Sequence, residues 1–220
     1  MQANRPRIHR LRDGSVIRTR PLRASDRGKL LDGFEHFSPD SRYRRFFSPT
    51  PRLTSTMLDR LFDIDGEDRV AIGAELLRLG FVPGSGLGIA RFARLPEAHD
   101  VAEMAVSIVD EMQGQGLGTV LLLELSAAAR AHGIARFTAW VQPDNEAMKA
   151  LVAKLDPLAR SHVEDGVLVF DLAVPGTIEL ASEQRPRRVT NPLVGFADWC
   201  TASARQLFPG RLTGTPLSHF

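Results

Sequence analysis

Apolar and polar residues alternate from Ser15 to Leu22 (SVIRTRPL), the period of a half-buried strand, and the run ends near Pro21. Ser25 is placed to cap a helix reaching Phe34, with Leu30, Leu31 and Phe34 on one face. Ser38 followed by Pro39 predicts a second helix over DSRYRRFF, and Thr54 a third, short one. Leu53 and Leu58 are spaced as a hydrophobic staple around that third start. Arg69–Arg78 is strand-like, with a tail that also suits a helix. Pro83–Gly86 then predicts a turn before a second alternating run, Leu87–Leu95. Alternate glycines 84, 86 and 88 precede no helix, so a hairpin turn is the expectation there rather than a phosphate loop. Val101–Val109 is a further strand. From Leu117, apolar residues at 121, 122, 125, 128 and 129 mark one side of a helix that Gly133 stops. Arg136–Gln142, a helix from Pro143-Asp144 to Leu155, and a strand Val167–Val174 complete the pattern.

The order of elements predicts one mixed α/β domain over residues 15–175. It would be preceded by a loose arginine-rich arm, 1–14, and followed by 176–220. In that last stretch EQRPRRVTNP reads as a linker. Asn191-Pro192 then opens an amphipathic helix with Leu193, Phe196, Cys200 and Leu207 on one side, to be covered by the domain, a second copy or a partner. A homodimer is one arrangement that would cover it. Composition changes this picture little. The apolar share of 43% supports a real core, and the net charge of +2 gives no argument for nucleic acid. One cysteine rules out an internal disulfide, which fits a reducing cytoplasm; no apolar run has the length of a membrane span. The six histidines show no metal-ligand spacing, so no metal is expected.

Chemistry concentrates in VSIVDEMQGQGLGT, Val106–Thr119, where a strand runs through a loop with glycine at 114, 116 and 118 into a helix start. Successive backbone N–H groups can face one concavity there, the helix adds its positive end, and glycines permit close approach, so a pyrophosphate suits the loop. A tight strand-to-helix connection without ligand is the other reading of the loop alone. The stretch has no Gly-Lys-Ser/Thr, which excludes a P-loop, and Thr119 stands where the dinucleotide fingerprint needs glycine. What Gln113, Gly116 and Gly118 spell is Gln/Arg-x-x-Gly-x-Gly/Ala.

That loop resembles the acyl-CoA loop of the GNAT superfamily of N-acetyltransferases, and the element order, apart from the helix at Thr54, is similar to theirs. SPDSRYRRFF (Ser38–Phe47) and AEMAVSIVDEMQGQGLGT (Ala102–Thr119) resemble the bacterial protein-lysine acetyltransferase branch. QPDNEAMKAL (Gln142–Leu151) resembles the superfamily's helix after its fifth strand, and SHVEDGVLVFDL (Ser161–Leu172) that branch's closing strands. The resemblance spans Ser15–Val174. It implies a central mixed, twisted sheet flanked by helices, and acetyl-CoA as acyl donor.

By the same resemblance the pyrophosphate would sit on amides of Gln113, Gly114, Gln115, Gly116, Leu117, Gly118 and Thr119. The pantetheine arm would lie along Ser107, Ile108 and Val109, with the Val109 N–H facing the thioester oxygen. Asn145 either touches the coenzyme or simply caps its helix. Glu103 stands where the branch places its catalytic glutamate, and the other reading is a surface-strand carboxylate. A base at the ordinary carboxylate pKa of ~4.3 is weak, so partial burial of Glu103 is expected. The tyrosine that many relatives use to protonate the leaving thiolate aligns with Val152. The only tyrosine, Tyr43, is expected to pack. Arg42, Arg44 and Arg45 would read acidic groups around a target lysine, bind the coenzyme's 3′-phosphate, or form a solvated face. The acceptor implied is a primary amine, a protein lysine if the chain follows the branch it resembles. The alternatives are a small-molecule amine and a CoA-binding regulatory module without turnover.

Overall fold

The computed structural model describes residues 5–49, 52–78 and 82–175. Eight strands form one sheet in the order β1-β2-β3-β4-β5-β6-β8-β7. They are β1 (Arg7–Arg10), β2 (Val16–Pro21), β3 (Arg69–Arg78), β4 (Val82–Leu95), β5 (Ala98–Ile108), β6 (Arg136–Val141), β7 (Arg160–Glu164) and β8 (Val167–Ala173). Helices α1 (Arg27–Glu35), α2 (Pro39–Phe46) and α3 (Ser55–Leu61) lie between β2 and β3, α4 (Leu117–Ala131) between β5 and β6, and α5 (Glu146–Leu155) between β6 and β7. All neighbouring strands run antiparallel except β5 and β6.

The expected caps form. Ser38 Oγ accepts from the Ser41 N–H at 3.2 Å and Thr54 Oγ1 from the Met57 N–H at 3.2 Å. The staple leucines Leu53 and Leu58 are both buried. The start of α1 differs from expectation. Ser25 lies inside a 3₁₀ turn, and the carboxylate of Asp26 accepts from the Arg23 N–H at 2.8 Å. Two further corrections concern strands. Arg7–Arg10 is no loose arm but pairs with Val16–Thr19 as an edge strand. Pro83–Gly86 is strand rather than turn, because pairing already closes with Arg78 opposite Val82. Its glycines serve close approach: a Cβ on Gly86 would lie 3.0 Å from the Lys29 carbonyl of α1, and one on Gly88 2.9 Å from the Ser107 carbonyl. The linker and helix expected within 176–220 lie outside the described residues.

One core fills the space between the sheet and α4, built on Ile17, Ile72, Phe92, Leu121, Leu122 and Leu125. A second lies on the opposite face under α1–α3, with Phe34, Phe46, Met57 and Leu61. β5 runs between these layers, and its end reaches both.

Candidate active site

β5 and β6 pair at only three positions, Val101 with Arg136, Ala102 with Phe137 and Glu103 with Thr138. Beyond Glu103 the strands part, β5 following β4 to Ile108 and β6 following β8 to Val141. The Val109 N–H donates to the Leu87 carbonyl at 3.0 Å. Alternation then turns the backbone groups of Ser107 and Ala105 toward β4, and those of Val106 and Ile108 into the gap. Val109 therefore cannot offer its N–H to a thioester, contrary to the expectation from sequence; the strand's free edge belongs to Val106 and Ile108.

The gap ends at the glycine loop. Gly114 and Gly116 take φ of +75° and +91°, which side chains resist, and Gly116 is the N-cap of α4. Gln113 turns back, its Nε2 lying 3.3 Å from the Ile108 carbonyl and 3.1 Å from Asp110 Oδ1. Asp110 in turn accepts from the Ser38 N–H at 3.2 Å, tying the loop to the start of α2. Burial alone would raise the Asp110 carboxyl, but hydrogen bonds from Ser38 and Ser41 outweigh it and hold it below its ordinary value. Across the gap α5 presents Met148, Leu151 and Lys154. The resulting cleft encloses about 1190 Å³ including its open mouth.

The structure brings Ser107, Ile108, Gln113, Gly114, Gly116, Gly118, Thr119 and Asn145 to this cleft. Asn145 also caps α5, its Oδ1 accepting from the Met148 N–H at 3.1 Å, so the two readings of that residue are compatible. Gln115 lends its carbonyl to the Arg12 N–H at 3.2 Å, and the Leu117 side chain is buried in the main core.

A second cavity, about 740 Å³ including its open mouth, lies on the α1–α2 side of the sheet. Phe37, Arg45 and Ser107 line both cavities, so they meet at the end of β5. The Ser107 Oγ is buried at this junction and finds no hydrogen-bond partner among the described residues. The far end of the second cavity is ionic. Glu75, 4% exposed, receives Arg18 Nε at 2.8 Å, Arg20 Nε at 3.2 Å and the Lys29 ammonium, while Arg20 also pairs with buried Asp26 at 2.6 Å. Burial pushes the Glu75 carboxyl up, but Lys29, Arg18 and Arg20 prevail and leave it below its ordinary value. Glu75 belongs to no motif, although an acid inside the apolar run of β3 is itself a signal of burial with partners.

Glu103 is 7% exposed and sits on the last rung before β5 and β6 separate. It lines neither cavity directly. Val152 is buried in the main core and provides no hydroxyl where the resemblance would put tyrosine. Tyr43 is 46% exposed rather than packed. The three arginines separate. Arg42 holds the end of α1, donating to the Phe37 carbonyl at 3.0 Å with its guanidinium 4.3 Å from the Phe34 ring centre. Arg44 pairs with Asp144 at 3.2 Å across the cleft mouth, and Arg45 stands at the junction.

Residues 41–156 match the acetyltransferase (GNAT) family. Acetyltransferase Pat of Mycolicibacterium smegmatis is 32% identical over 166 residues, 75% of this chain; the chain spans about half of that relative, 48%. Acetyltransferase PA5475 of Pseudomonas aeruginosa is 31% identical over 163 residues, covering 74% of this chain and 86% of that protein. The GNAT domain of S. lividans PAT superposes with a TM-score of 0.68 at 32% identity, covering 76% of this chain and 96% of that one. The fold is also that of yncA from Salmonella typhimurium, a structure with acetyl-CoA, at TM-score 0.57 and 18% identity over 79% of this chain and 98% of that one. The chain belongs to the GNAT acetyltransferase family.

Proposed function

We propose that this chain transfers an acetyl group from acetyl-CoA to a primary amine, a protein lysine by preference, with Glu103 as general base. The observation that carries the reading is the early parting of β5 from β6, with a glycine loop and a helix start closing the gap. The residues present fit the coenzyme. Two positive-φ glycines form a cradle, a strand edge stands open at Val106 and Ile108, and a buried serine hydroxyl at the junction lacks a partner. Amides of the loop and the start of α4 would hold the diphosphate, and Val106 and Ile108 the amide-bearing arm. Bound acetyl-CoA would supply the activated acyl carbon, whose C–S bond breaks as the C–N bond forms.

The chain's own task is the proton. A lysine amine of pKa ~10.4 is free base only about once in a few thousand molecules at neutral pH, a handicap of ~4–5 kcal/mol. Glu103, buried at the mouth of the gap and lining neither cavity, would take that proton through water. The second cavity, reached past Phe37, Arg45 and Ser107, is the acceptor's route. Preference for lysine rests on the branch that the SPDSRYRRFF and AEMAV stretches resemble. Glu103→Gln is expected to lower thiol release by ~100-fold or more, with the CoA dissociation constant nearly unchanged. The assay is free-thiol release from acetyl-CoA with lysine peptides, beside calorimetry with CoA. Undiminished turnover in the variant would remove Glu103 from the chemistry. Val152 favours a second reading, a CoA-binding module with little turnover, which the same assay would reveal as binding without thiol release.

A further inference from the structure

The glycine loop, QGQGLGT from Gln113 to Thr119, contains no basic residue. Its amides and the start of α4 offer partial charges only, about half a unit in sum for a helix end, against a diphosphate. A full positive charge reaches the loop from elsewhere in the chain. Arg12 occupies the turn of the β1–β2 hairpin, where Leu11 is buried in the main core and its N–H donates to the Ser15 carbonyl at 2.9 Å. From that turn the Arg12 N–H donates to the Gln115 carbonyl at 3.2 Å and Nη1 to the Gly114 carbonyl at 3.5 Å. Its Nε would lie 3.8 Å from a Cβ placed on Gly116. The guanidinium thus rests beside both positive-φ glycines and lines the cleft.

The hairpin is not free to carry Arg12 away. Arg7 Nη1 and His9 Nε2 lie 3.0 and 3.2 Å from the Glu124 carboxylate of α4, the helix that the loop opens. Hairpin, loop and helix therefore hold one arrangement. Among the described residues no carboxylate pairs with Arg12, so its charge is not neutralised where it stands. On the opposite wall Lys154 Nζ lies 3.2 Å from Thr119 Oγ1, leaving a cation on each side of the loop.

We propose that Arg12 is a coenzyme-binding residue, whose guanidinium supplies against the diphosphate of CoA the full charge that the loop itself lacks. The proposal rests on the reading of the cleft as a CoA site. Its test is calorimetry of the full chain with CoA and with 3′-dephospho-CoA at two salt concentrations, for the parent, Arg12→Gln and Arg12→Lys, alongside the Tm of each without ligand. Arg12→Gln is expected to weaken both ligands equally, by about tenfold, and to flatten the salt dependence of Kd, with the unliganded Tm unchanged. Arg12→Lys, which keeps the charge, is expected within about threefold of the parent. A loss confined to CoA would assign the arginine to the 3′-phosphate and overturn the proposal. So would an unchanged salt dependence, or a lysine variant as weak as the glutamine one, since either would mean that Arg12 only props the loop. If the parent binds neither ligand, the CoA reading itself fails. If the parent binds and Arg12→Gln binds equally well, only the role of Arg12 is lost.

Discussion

A serine hydroxyl without a partner sits where two cavities meet, and keeping one there has a cost. A buried, unpaired hydroxyl destabilises a fold by about 1–3 kcal/mol, so Ser107→Ala should leave the unliganded protein at least as stable as the parent. Urea unfolding measures this, and a loss above about 1 kcal/mol would mean that the hydroxyl is bonded after all. Much at this scale was readable before any coordinates. Ser38 and Thr54 announced their helices because a cap is a local device, and Glu103 could be expected to be buried. Which backbone N–H faces the gap could not be read. Whether Val109 or Ile108 faces the gap depends on which residue of β4 stands opposite, and that register is written in no single stretch of sequence. Arg12 escaped for a related reason. Four residues of β1 are too few to show a period, and their arginines look like a solvated tail.

Among the elements, β3 and β4 carry the largest departure from the linear reading. Alternate glycines look like a turn, yet here they let α1 lie against β4 and let β4 close on β5. Close packing and a turn demand the same residue, and only the neighbouring element decides between them. Two irregularities in the β3–β4 register fall on either side of Glu75, which faces Lys29 of α1 and the arginines of β2. Neutralising that buried carboxylate leaves the partly buried Arg18, Arg20 and Lys29 facing an amide, so Glu75→Gln should cost about 1–3 kcal/mol at neutral pH. The folded protein holds Glu75 and Asp26 below their ordinary carboxyl values. Asp26 is lowered chiefly by its hydrogen bonds with Arg20. A depressed folded value means stability that is present above the unfolded value, near 4, and lost as pH falls through the folded one. The gap between Glu75→Gln and the parent should therefore narrow when urea titrations at pH 7 are repeated at pH 3. A constant gap would mean that the variant's loss does not come from the carboxylate's charge.

For the molecule as a whole, the succession of strands and helices was legible because long amphipathic runs hardly depend on their surroundings, and it sufficed to imply the family's layered sheet. What the succession could not convey is how little joins the sheet's halves. Strands β1–β5 form one hydrogen-bonded leaf and β6, β8 and β7 another, and three residue pairs connect them. If CoA lies along the open edge, amide exchange at Val106 and Ile108 should slow on its addition; unaltered exchange at both would mean that it lies elsewhere. A seam so short would make a coenzyme bound along it a splint as well as a reactant. When it is scarce, the smaller leaf should be the first part of this protein that a protease finds ajar.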